Sequence, residues 1–74
     1  MFDKVREIIA EKLSINEDEI TMDSSFLDDL NADSLDLVEI VLDGEERLGI
    51  TFENEELLTF KTVGDVVKSA EAKK

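Results

Sequence analysis

Residues 33–50 constrain this chain more than any other stretch, because they spell one long helix with both ends marked. Asp33 is a good N-cap, and Asp36 three positions later completes a capping-box start signal. Apolar residues then crowd the run at Leu35, Leu37, Val38, Ile40, Val41 and Leu42. Leu48-Gly49-Ile50 supplies the stop, with Gly49 as the left-handed residue that closes the last turn. The helix is apolar on too many sides to cover a single core. Val41, Leu48, and Leu37 with Ile40 can face inward, whereas Leu35, Val38 and Leu42 follow i, i+3, i+7 spacing on a neighbouring stripe. That second stripe, with Asp36, Glu39, Asp43, Glu45 and Glu46 around it, is expected to face a partner.

The remaining pattern is also helical. Phe2, Val5, Ile9 and Leu13 recur at i, i+3, i+7, i+11 with Ile8 beside them, which predicts an amphipathic helix of about three turns. Thr62 with Asp65 gives a second capping-box signal before Val63, Val66, Val67 and Ala70. Ile50-Thr51-Phe52 reads as an extended connector, and Asn54 to Leu58 can make one or two turns. Residues 14–33 read as a long loop pinned by Ile15, Ile20, Phe26, Leu27 and Leu30, with a short helical turn after Ser24 or Ser25. So long a loop in a small domain is usually functional. Asn31 tolerates positive φ and can bend the chain just before the long helix. Phe2, Phe26, Phe52 and Phe60 are expected in core and lid packing. Without repeats or a Pro/Gly/Ser-rich linker, residues 1–74 make one all-α domain of three main helices and one short one.

Composition removes whole classes of chemistry. The chain has no Cys and no His, so it has no disulfide, thiolate metal site, redox centre or imidazole base. Twenty acids against eight bases leave a net charge of −12, a field that repels nucleic acid and anionic membranes and attracts basic protein surfaces. Residues 28–56 hold eleven of those acids and the single base Arg47. No apolar run approaches the roughly 20 residues of a membrane span, and Met-Phe-Asp-Lys-Val-Arg-Glu is neither a signal peptide nor a transit segment. A cytoplasmic monomer without membrane insertion is the expectation, with bacterial cytoplasm preferred over an organelle.

Ser34 stands at the start of the long helix, where free N–H groups and the positive dipole end suit a phosphate. Nothing near it in sequence could activate it, so it reads as a substrate for another enzyme rather than a nucleophile, and no catalytic residue is assigned. The run Leu27-Asp28-Asp29-Leu30-Asn31-Ala32-Asp33-Ser34-Leu35-Asp36-Leu37-Val38-Glu39-Ile40 resembles the phosphopantetheine attachment signature of acyl carrier proteins. Glu45-Glu46-x-Leu48-Gly49-Ile50 and Thr62-Val63-x-Asp65-Val66 fit the same family, so the resemblance spans almost the whole chain. It implies a small four-helix bundle with a long loop between its first and second helices. It also implies a 4′-phosphopantetheine arm on Ser34, transferred from coenzyme A by a separate Mg²⁺-dependent phosphopantetheinyl transferase, the holo-carrier synthase. Growing acyl chains would ride the arm's thiol as thioesters between fatty-acid synthesis enzymes. Asp33, Leu35, Asp36, Val38, Glu39, Leu42 and Glu46 would meet basic patches on those enzymes. The Asp-Ser-Leu-Asp-x-Val-Glu wording is nearer fatty-acid carriers than peptide-synthesis or alanine-transfer carriers, with a polyketide or other acyl pathway as the alternative.

Three positions depart from the family pattern. Asn31 replaces a usual Gly, Glu53 stands where many relatives have Pro, and Gly44 replaces a large apolar residue, so the chain is expected to have a wider or softer acyl cavity. A rival reading is a calcium module, since Asp29-x-Asn31-x-Asp33 matches the first three ligand positions of an EF-hand loop. The loop then breaks, with Ser34 at the required Gly and Ile40 at the bidentate Glu, so no metal site is assigned beyond weak divalent binding near the long helix.

Overall fold

A computed structural model describes residues 1–73. Four α-helices follow in order: α1 (Phe2–Leu13), α2 (Ser34–Leu48), α3 (Asn54–Leu57) and α4 (Val63–Lys73), and no strand occurs among the described residues. The all-α bundle expected from the pattern is present. α1 packs against both α2 and α4, and the core between them holds Val5, Ile8, Ile9, Ile40, Val41, Leu48, Val63, Val66, Val67 and Ala70. The α2 residues assigned inward are buried, except Leu37, which is half-buried at the edge of this core.

Both marked ends of α2 form as the sequence indicates. Asp33 Oδ1 accepts the Asp36 N–H at 2.9 Å, and Asp36 Oδ2 accepts the Asp33 N–H at 3.3 Å. Gly49 closes the helix at φ 69°, a left-handed geometry that costs a side chain about 1–2 kcal/mol. α1 ends the same way on Ser14 at φ 57°, a left-handed serine that its residue type does not announce.

The segment between α1 and α2 is more ordered than a loop. A 3₁₀ turn spans Glu17–Glu19 where none was expected, and Glu19 reaches back to the Asn16 N–H at 3.2 Å. A helical turn does follow Ser25, whose carbonyl accepts the N–H groups of Asp29 (2.9 Å) and Leu30 (3.0 Å). Ser25 also pairs with Thr62 as an isolated antiparallel bridge, flanked by Phe26 N–H to Lys61 O and Val63 N–H to Ser24 O, each 3.0 Å. Gly64 N–H donates to Met22 O at 2.8 Å, and a Cβ on Gly64 would stand 2.9 Å from that oxygen, so the close approach requires glycine. These bonds fasten the segment to the start of α4. Phe26, Phe52 and Phe60 are buried and Phe2 partly so, with the Phe52 and Phe60 rings edge to face at 5.3 Å.

Candidate functional site

Ser34 is the first residue of α2 and is exposed. Asn31 at φ 56° turns the chain into that start, as its tolerance of positive φ suggested. The first turn of a helix leaves N–H groups without intrahelical acceptors, and Asp33 takes only that of Asp36. The Ser34 hydroxyl borders a cleft of about 340 Å³ whose walls include Phe26, Leu27, Leu37 and Phe60. Lys61 lies on the same cleft. Sequence reading found no lysine near Ser34, because only the Ser25–Thr62 pairing carries residue 61 to this place. No hydrogen bond joins Ser34 to Lys61 or to any carboxylate among the described residues, so the hydroxyl has no internal base.

α2 presents the outward stripe. Leu35 is 67 % exposed, Val38 41 % and Leu42 58 %, large apolar side chains left to solvent on a helix whose other face fills the core. Glu39 and Glu46 are exposed beside them. Asp33 and Asp36 stand at the start of the stripe, each with one carboxylate oxygen committed to the cap and the other without a hydrogen bond among the described residues.

The acids of residues 28–56 do not form one uniform face. Asp43 and Glu45, which sequence spacing placed around the stripe, are taken up structurally. Asp43 pairs with Arg47 at 3.2 Å and Glu45 accepts the Phe52 N–H at 2.6 Å. Arg47 also reaches Glu11 on α1 at 2.6 Å, and this contact raises the pKa of its guanidinium further above its ordinary value. The one base in the acidic window is thus neutralised internally, which leaves Glu39 and Glu46 as the α2 carboxylates with neither an ion pair nor a hydrogen bond among the described residues.

The calcium reading loses its ligands. Asp29 accepts the Ser25 N–H at 2.7 Å, Asp33 caps α2, and Ile40 is buried in the core. Among the described residues no cluster of three or more His, Cys, Asp or Glu could hold a metal.

A void lies under α2 at Gly44. It measures about 10 Å³, is lined by Val5, Ile8, Ile40, Val41, Leu48 and other apolar residues, and a Cβ on Gly44 would meet nothing within 4 Å. A pocket so small and apolar holds no water.

Comparison with known proteins agrees with this arrangement. The phosphopantetheine attachment site family model matches residues 3–69. An acyl carrier protein of Clostridium perfringens is 62% identical over 92% of this chain and 90% of its own. One from Petrotoga mobilis is 52% identical over 90% of this chain and 79% of its own, and one from Thermotoga maritima 44% identical over 99% and 90%. A solved acyl carrier protein structure from Enterococcus faecalis superposes with a TM-score of 0.81 at 33% identity, covering 99% of this chain and 92% of that one. With its helical order, its serine at the head of α2 and these relatives, the chain belongs to the acyl carrier protein family, whose members bear a covalent 4′-phosphopantetheine and act as carriers.

Proposed function

We propose that Ser34 takes the arm and that this single domain ferries acyl thioesters between enzymes of fatty-acid synthesis in the cytoplasm. The observation that carries the reading is an exposed serine hydroxyl at the first residue of α2, open to a cleft and lacking any base of its own. Such a group needs an external catalyst. In the transfer, Ser34 Oγ forms a bond to the phosphorus bearing the pantetheine of coenzyme A, the pyrophosphate P–O bond breaks, adenosine 3′,5′-bisphosphate leaves, and the serine proton passes to the transferase. Mg²⁺ on that enzyme offsets the charge of the phosphates.

The docking face combines Leu35, Val38 and Leu42 with the charges of Asp33, Asp36, Glu39 and Glu46. Charged rims speed encounter more than they tighten a complex, which suits a carrier that must leave each enzyme after one step. Basic patches on the transferase and synthesis enzymes are the complement. The wider or softer acyl cavity rests on Gly44, where a lipid chain entering between α2 and its neighbours would meet no side chain from that position.

Incubating the chain with coenzyme A, Mg²⁺ and a phosphopantetheinyl transferase, then measuring intact mass, tests the assignment. One arm is expected on the wild type and none on Ser34→Ala. An arm on the alanine variant, or none on the wild type, rejects Ser34.

A further inference from the structure

The cleft beside Ser34 contains one cation, Lys61, and two anions, Asp28 and Asp33. The Lys61 backbone is held on both sides. Its carbonyl accepts the Phe26 N–H at 3.0 Å, and its N–H donates to Asp65 Oδ2 at 3.0 Å. Asp65 also takes the Thr62 N–H at 3.0 Å, so a single carboxylate fixes the turn that carries Lys61. The side chain is exposed, and its ammonium pairs with no carboxylate among the described residues, unlike Arg6, Arg47 and Lys73. A fixed backbone with an uncommitted ammonium, at the rim of a cleft with apolar walls at Leu37 and Phe60, suits an anion with an organic tail.

We infer that Lys61 is the docking residue for the phosphodiester of an arm on Ser34, and that this contact lays the pantetheine along the Leu37–Phe60 wall. The inference rests on the Ser34 assignment. A phosphodiester fixed to Ser34 shares the cleft with Asp28 and Asp33, each of which repels it, and Lys61 is the one charged side chain of the cleft that attracts it. Exposed charge pairs of this kind favour the paired geometry by about two- to fivefold, enough to bias a swinging arm without trapping it.

The test uses the holo-protein with a nitroxide on the terminal thiol. In about 10 mM salt, broadening of the Leu37, Phe60 and Thr62 amides is expected to fall about two- to fivefold in Lys61→Gln and to recover in Lys61→Arg. The ³¹P resonance should shift in the glutamine variant. Raising salt to about 1 M, where the screening length is about 3 Å, should bring wild type and Lys61→Gln together. Unchanged amide shifts distant from the cleft show that the variants keep the fold, as expected for an exposed side chain. Equal broadening in wild type and Lys61→Gln at low salt overturns the Lys61 contact while leaving the arm on Ser34. A wild type that accepts no arm removes the Ser34 assignment and this inference together.

Discussion

The glycines at 44 and 64 respond oppositely to the same added methyl, and the difference is one of space. Gly44 sits mid-helix and buried, with open volume where a Cβ would go. Alanine there gains helix propensity of up to about 1 kcal/mol and fills part of the void. Gly44→Ala should therefore melt about 4–8 °C higher. Gly64→Ala drives a Cβ to 2.9 Å from the Met22 carbonyl oxygen and strains the bond that fastens the α1–α2 segment to α4. That variant should lose about 1–3 kcal/mol, as overpacked sites do, and melt lower. Circular-dichroism melts of both variants check the pair, and a matching sign would show that the local packing is misread. The same void gives Gly44 a second test. In Gly44→Leu the side chain competes with a lipid for the space, so long acyl chains should stabilise the variant less than they stabilise the wild type, while medium chains differ little. Equal stabilisation of both proteins at every chain length would end that argument.

Among the elements, α3 depends most on a single residue. Its four residues are too few for a helix to persist unaided. Glu56 accepts the Glu53 N–H at 2.9 Å, pairs with Lys73 of α4 at 2.8 Å and accepts the Ser69 hydroxyl. A proline at 53 would have no N–H to satisfy, and with glutamate there Glu56 supplies the acceptor. These contacts, the Glu53 N–H foremost, pull the Glu56 carboxyl from its ordinary 4.5 to about 2. A carboxyl more acidic folded than unfolded stabilises fully above 4.5 and loses that contribution as pH falls toward 2. Glu56→Gln should then melt below the wild type at pH 7, and the gap should close between those values. A gap that stays constant across a pH series of melts would mean that the charge is idle. How much of each element could be read beforehand follows from where its partners lie. α2 was legible because its cap, apolar run and closing glycine are all local. The 3₁₀ turn at Glu17–Glu19 carries the Asn16-x-x-Glu19 signal but no apolar run behind it, so its sequence reads as loop. The place of Ser34 at the head of α2 is legible from its neighbours in sequence. Lys61 was not, since a tertiary bridge brings it there, and Asp43 and Glu45 were misplaced because Arg47 and the Phe52 N–H draw them off the outer face.

At the scale of the whole molecule, charge and size set the balance. The extents are 26 × 21 × 19 Å, so at about 10 mM salt, where the screening length is near 30 Å, every carboxylate feels every other. At about 0.15 M the length is near 8 Å and only neighbours interact. Salt also weakens favourable pairs such as Arg47–Glu11 and Lys73–Glu56, but exposed pairs contribute little and act only between first neighbours. Self-repulsion from a net charge of −12 is long-ranged, so its relief should win. The melting temperature should climb with NaCl over this range, each kcal/mol of relief appearing as about 4–8 °C. A fall would mean that the ion pairs outweigh the repulsion. Mg²⁺ at matched ionic strength separates screening from binding: a rise beyond that of NaCl supports weak divalent association at α2, and an equal rise leaves screening alone. The same field should govern encounter with a basic partner. Glu39→Gln with Glu46→Gln removes two unpaired charges without touching a structural bond, so it should slow association with a transferase and flatten its salt dependence while leaving the melting temperature at 0.15 M nearly unchanged. An unaltered association rate would place the docking surface elsewhere than on the outer stripe of α2.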